Sequence, residues 1–231
     1  MAGTAYYAEH PRFHVAVDCI IFGFDDSELK LLIHKRKFEP FRGHWSLFGG
    51  FMAENESLDD AANRILFELT GLEHIYMEEL QTYGKIERDP AGRVISVAYY
   101  ALIPAHRYSE EYSRKYGATW VSMKNLPKLI MDHDSMVKKG LRRLRRRASS
   151  QPIGFELLPR EFTIPKLQAL YEAIYQTRLD KRNFRKKILS MDVLVKLEEK
   201  DKSTSRKGAY LYRFDKRKYK KLMEKGYHFA I

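Results

Sequence analysis

Apolar positions change their spacing several times along this chain, and each change predicts an element. Residues 14–22 are almost continuously apolar, and residues 29–36 repeat the pattern after the turn Phe24-Asp25-Asp26-Ser27. Short apolar runs bounded by turn residues predict two strands. Leu58, Ala61, Ala62, Ile65, Leu66 and Leu69 then recur every three or four residues, which places them on one face of a helix. Ser57 with Asp60 three residues later makes a capping-box-like start, and Gly71 suits the position just past the last turn. Val94–Leu102 reads as a strand and Thr119–Val121 as a short one. Leu126–Ile130 and Ser135–Ala148 read as helices.

The stretch Ser149-Ser150-Gln151-Pro152-Ile153-Gly154 has linker composition, and a boundary is expected there, giving units 1–150 and 151–231. Beyond it, Thr163 caps a helix whose apolar stripe is Ile164, Leu167, Leu170, Tyr171 and Ile174, with Pro165 in the first turn. Gln176-Thr177-Arg178-Leu179 makes a turn, and Asp180 caps a second helix, Lys181–Ser190, with Phe184, Ile188, Leu189 and Met191 as its apolar residues. Strands Val193–Leu197 and Ala209–Phe214 follow, joined by a polar loop over 198–208. This order resembles a winged helix-turn-helix.

Charge separates the same two units. Of 231 residues, 42 are Lys or Arg and 30 are Asp or Glu, a net +12. Residues 1–137 hold 15 of these bases against 20 acids, residues 138–150 hold 7 bases and no acid, and residues 151–231 hold 20 bases against 10 acids. A basic back half implies a polyanionic partner. In a recognition helix, Asn183 and Arg185 can read base edges, while Lys181, Lys186 and Lys187 suit phosphates, and Arg182 belongs to the same DNA-binding surface. Ser205, Arg206 and Lys207 at the wing tip extend that surface. The run Arg142–Arg147 offers only Leu141 and Leu144 as apolar company, too little for a membrane, so a domain-joining helix is expected. No apolar run reaches membrane-span length, no secretory leader is evident, and Cys19 is the one cysteine; a reducing cytoplasm is expected.

The segment from Gly50 through Glu56, Arg64, Leu66, Glu68, Gly71 and Leu72 resembles the Nudix box, G-x5-E-x7-R-E-U-x-E-E-x-G-U. Trp45–Phe51 resembles the strand and turn before that box, and Arg88-Asp89-Pro90 with Arg93–Tyr100 resembles the loop and strand after it. Where the family carries two further glutamates, this chain has Ile65 and Leu69. In the family these carboxylates hold Mg²⁺ against a diphosphate, and isoleucine and leucine offer a hard cation nothing. The resemblance implies an α+β chain: a Nudix-like α/β/α sandwich with a mixed sheet, then the winged helix. No catalytic residue, metal or cofactor is expected.

The two halves together resemble the Nudix-related bacterial transcription factors, with the arabinose-responsive repressors expected as the nearer branch and the NAD-biosynthesis repressors as the other. That resemblance implies a homodimer binding double-stranded operator DNA under control of a small effector, a pentose being favoured over ADP-ribose. Asp18, His34, Arg36, Trp45, Gly50, Glu68, Arg93 and His133 are the effector-pocket candidates, because Nudix ligands lie over the sheet beside the box helix.

Overall fold

In a computed structural model that describes residues 8–25, 28–105, 115–203, 206–227 and 229, the first apolar run forms strand β1 (His14–Phe24) at the centre of a seven-stranded mixed sheet. Asp26 and Ser27 of the first turn lie outside those residues. One edge of β1 pairs in parallel with β6 (Val94–Pro104) along its whole length. The other edge is shared. Ile21–Phe24 pair with β2 (Leu29–Lys35), and Ala16–Cys19 pair with β4 (Phe48–Phe51). β2 leaves β1 at this division and continues against β3 (Trp45–Ser46) and β7 (Ala118–Ser122). β5 (Glu78–Tyr83) closes the far edge on β6.

Alternation along β1 gives the sheet two apolar faces. Val17, Cys19 and Ile21 join Ala61, Ala62, Ile65 and Leu66 of helix α1 (Leu58–Thr70), the box helix. Ile20, Phe22 and Phe24 face Met136, Val137, Leu141 and Leu144 of helix α2 (His133–Ser150). The α/β/α sandwich follows. Both expected α1 caps form: Ser57 and Asp60 bond reciprocally, and Gly71 takes φ 69°, where a side chain would be strained. The Cys19 thiol is fully buried and donates weakly to the Ala62 carbonyl, and burial raises its pKa.

The second unit follows directly from α2. β8 (Glu161–Thr163), β10 (Ala209–Phe214) and β9 (Leu194–Asp201) form a three-stranded sheet in the order β8-β10-β9. Helices α3 (Ile164–Tyr175) and α4 (Lys181–Ser190) carry the caps read from sequence, Thr163 and Asp180. Helix α5 (Lys216–Glu224) follows β10 and is the last regular element among the described residues. The core is continuous across the two units: Leu144 and Ala148 of α2 share a cluster with Phe155, Leu157, Leu167 and Leu170.

Two expectations fail locally. Leu126–Ile130 is not helical. Pro127 removes a donor, the Leu129 N–H goes to Asp134, and the Ile130 N–H goes to the Trp45 carbonyl, so the segment's donors are spent outside a helix. Residues 198–201 belong to β9 rather than to the wing loop, because Lys200 and Asp201 pair with Tyr210 and Ala209 across a bulge. That bulge lets both Lys196 and Lys200 lie over the Tyr210 ring, at 3.8 and 4.5 Å.

Candidate functional site

Where β2 parts from β1, polar side chains fill the gap. Asp18 is on the α2 side of β1, 7% exposed, and its Oδ2 accepts from the fully buried Ser96 hydroxyl at 2.6 Å. The same oxygen lies 3.4 Å from Arg88, whose guanidinium grips Asp132 through Nη2 at 2.9 Å and Nε at 3.1 Å. His133, the first residue of α2, sits 3.5 Å from Asp18 Oδ1 through Nε2. Its Nδ1 accepts the Leu47 N–H at 3.1 Å, and since an amide can only donate, the ring proton must be on Nε2, facing the carboxylate. Burial lowers the His133 pKa, which keeps the ring neutral and that accepting nitrogen free.

The glycine beside this cluster has a steric reason. A Cβ on Gly49 would stand 2.2 Å from Asp18 Oδ1 and 2.9 Å from the Val17 carbonyl oxygen. His34 stacks on Phe48 at 4.6 Å and donates to the Leu47 carbonyl from Nε2 at 3.2 Å, with its pKa lowered by burial. Arg36 follows β2 at the rim. Its guanidinium lies 4.1 Å over Phe38, its Nε is buried without a partner among the described residues, and burial lowers its pKa against the pull of Asp89, Asp18 and Glu39.

Asp18, His34, Arg36 and His133 thus come together, whereas the Trp45 ring in β3 is met by Lys35 at 5.3 Å and packs on the α2-side core. Gly50, Glu68 and Arg93 do not join them. Gly50 faces Ile65 across the box-helix side of the sheet, Glu68 is exposed on α1, and Arg93 donates to the Gly84 and Lys85 carbonyls at the start of β6. Sequence reasoning missed Ser46, Ser96, Arg88 and Asp132. Ser46, Arg88 and Ser96 all stand in the segments that resemble those flanking the box, and a serine inside an apolar strand, such as Ser96, is the pattern that could have pointed here; Asp132 carried no signal.

The box helix offers magnesium a poor seat. Ile65 is 2% exposed and packs at Gly50, at a position whose burial stabilises by about 1.5–3 kcal/mol. Glu56, a surviving acid of the box, is held twice by Arg64, at 2.8 and 2.6 Å, and accepts the Ala53 N–H; these bonds pull its pKa down to about 2. Arg64 also reaches Glu68 at 3.2 Å. The donor set does not fit the cation that the box implies.

On the winged helix, α4 buries Phe184 and Ile188 and exposes Lys181, Arg182, Asn183, Arg185, Lys186 and Lys187. Arg206 and Lys207 are exposed beyond β9, and Ser205 lies outside the described residues. The arginine run of α2 faces three ways. Arg147 pairs with Glu78, Arg145 donates to the Ile174 carbonyl at 3.0 Å and Gln176 at 2.7 Å, and Arg142, Arg143 and Arg146 are exposed.

Residues 12–140 match the NUDIX domain and residues 154–214 the NrtR DNA-binding winged helix domain. The "ADPR responsive transcriptional repressor NtrR" of Acinetobacter baylyi is 30% identical over 211 residues, covering 90% of this chain and 84% of that protein. The chain belongs to the NrtR family. Shewanella oneidensis NrtR complexed with a 27mer DNA superposes with a TM-score of 0.74 at 29% identity, over 87% of this chain and 93% of that one. The NUDIX domain of that NrtR complexed with ADP ribose gives 0.52 at 29%, over 62% and 99%. Methanocaldococcus jannaschii ADP-ribose pyrophosphatase is 35% identical over 133 residues, 58% of this chain and 75% of that enzyme. The expected arabinose-responsive branch is not supported, and the pentose preference is corrected: the Acinetobacter baylyi repressor is described as ADPR responsive and the NUDIX domain of Shewanella oneidensis NrtR as complexed with ADP ribose. Among the described residues no helix is long and apolar enough to cross a membrane.

Proposed function

We propose that this NrtR-family chain is a transcriptional repressor whose Nudix unit, residues 1–150, binds ADP-ribose and whose winged helix, residues 151–231, binds operator DNA as a homodimer in the cytoplasm. In this reading α4 enters the major groove, Asn183 and Arg185 contact bases, and Lys181, Arg182, Lys186, Lys187, Arg206 and Lys207 contact phosphates. The Nudix unit is a receptor without turnover, because its box glutamates are occupied by Arg64 and two box positions are apolar.

The observation that carries ligand control is the placement of α2. Its first residue, His133, is in the polar site, and Arg145 near its far end is bonded to the C-terminus of α3. Eighteen residues at 1.5 Å each make a rod about 27 Å long. Ligand at Arg36, Asp18 and Asp132 shifts the rod's first turn, and Arg145 passes that shift to the turn before α4. A ligand acts only by favouring one of two arrangements, so ADP-ribose must bind the DNA-free form and the DNA-bound form unequally.

The test is DNA selection from random duplexes, followed by titration of the selected duplex with ADP-ribose and with arabinose. A palindromic winner whose affinity responds to ADP-ribose alone supports the reading. Incubation of ADP-ribose with the chain and Mg²⁺ separates it from a residual phosphohydrolase, since steady release of AMP contradicts a receptor without turnover.

A further inference from the structure

The matched winged-helix domain ends at residue 214, and the structure continues with a helix outside it. α5 packs on the domain through Tyr219, whose ring meets Phe214 at 5.6 Å and Phe229 at 6.3 Å, and through Leu222. Its first turn is pinned to the segment leaving α4: Lys218 pairs with Asp192 at 2.6 Å, and the Asp215 N–H donates to the Val193 carbonyl at 2.9 Å.

The outward face is another matter. Lys216, Arg217, Lys220 and Lys221 are all exposed and fall at i and i+4 in two adjacent columns, with no hydrogen bond or ion pair to their side chains among the described residues. Like charges at this spacing repel across a helix turn, and the acid that follows them on α5 is the exposed Glu224, in the last position of the helix. Beside it opens a cleft of about 730 Å³, lined by Arg160, Arg213, Lys216 and Arg217 together with Phe155 and Phe214. The carboxylate at its rim, Asp215, is committed to capping α5 through the Lys218 N–H.

We propose that α5 and this cleft are a second phosphate-binding surface, which holds the DNA backbone flanking the segment engaged by α4. It rests on the DNA-binding reading above. Charge complementarity selects the occupant: a cationic face spanning two helix turns, anchored to the exit of the proposed recognition helix, suits a continuous phosphate chain. Such contacts add affinity and salt dependence without sequence preference.

The experiment uses the full chain, a mixed-sequence duplex and a range of salt concentrations. Replacing Lys216, Arg217, Lys220 and Lys221 by Gln is expected to weaken binding at least about tenfold in low salt, and to flatten the plot of log affinity against log salt by roughly 0.9 for each phosphate no longer neutralised. Arg185→Ala is the companion variant: it lowers preference for the selected palindrome and leaves most of the slope. Hydroxyl-radical footprinting of the unaltered chain needs no variant and is expected to show backbone protection beyond the α4 half-site. An unchanged slope and affinity in the quadruple variant, or protection ending at the half-site, overturns this inference alone. Failure of the unaltered chain to bind any duplex overturns the repressor reading with it.

Discussion

Removing the Arg88 guanidinium while keeping its volume, as Arg88→Met does, isolates the charge at the centre of the polar site. The side chain is 3% exposed, bonds Asp132 at 2.9 and 3.1 Å, and lies 3.4 Å from Asp18. Methionine leaves two carboxylates facing a position from which water is largely excluded. Losing one partner of a buried pair costs about 3–5 kcal/mol. Asp132 is 19% exposed and regains some hydration, which favours the lower end, about 3 kcal/mol. For a chain of this size each kcal/mol moves the melting temperature by roughly 2–4 °C, so a drop of about 6–12 °C is expected in a thermal melt. The decisive form is a double-mutant cycle with Asp132→Asn. Once the arginine is gone, neutralising Asp132 relieves repulsion, so the double variant is expected to be more stable than the sum of the single effects by about 1–3 kcal/mol. Additivity within about 0.5 kcal/mol refutes the reasoning, because it means the two groups do not interact.

Four further outcomes follow from the same geometry. Gly49→Ala, which drives a methyl to within 2.2 Å of Asp18, is expected to cost about 1–3 kcal/mol in urea denaturation; a neutral effect contradicts the close approach. His133 and His34 have folded pKa values below the unfolded one, so the unfolded chain binds more protons and stability falls as pH drops below about 6.5, by at most about 1.4 kcal/mol per unit for each ring. Urea midpoints for the parent and His133→Gln between pH 7.5 and 5.5 check this, the variant showing the shallower fall. Arg36→Gln removes a charge-assisted donor and is expected to weaken ADP-ribose binding about tenfold or more by calorimetry, with folding intact; unaltered affinity excludes Arg36 from the pocket. Arg145→Gln is expected to leave both ADP-ribose and DNA binding in place while reducing the effect of one on the other.

How much of this was legible depends on whether local chemistry or distant pairing decided it. The caps Ser57, Thr163 and Asp180 sit within three residues of the groups they satisfy, so α1, α3 and α4 could be read directly. α5 was missed because its apolar residues are few among lysines, and its helicity is fixed by Tyr219 and Leu222 docking on aromatic neighbours. β5 has only Leu80 and Tyr83 buried and owes its state to pairing with β6. The polar site was half legible. Asp18 and His133 stand out as polar residues at buried positions, but they are assembled with Arg88, Ser96 and Asp132 by a split in the sheet that no local pattern announces. Gly50 and Glu68 were grouped with them by their place in the box, whereas strand alternation puts Gly50 on the opposite face of β1's sheet. The pentose expectation came from a resemblance of the chain as a whole to the arabinose-responsive branch, backed by the absent glutamates, and loss of a metal seat does not by itself exclude a diphosphate ligand when arginines stand nearby.

The most direct single measurement is the affinity of the unaltered chain for its selected duplex as ADP-ribose is added at fixed salt. A saturable change in DNA affinity, matched by a reciprocal change in ADP-ribose affinity when DNA is present, is the predicted result. DNA affinity indifferent to saturating ADP-ribose, with Mg²⁺-dependent conversion of that nucleotide to AMP, would contradict it.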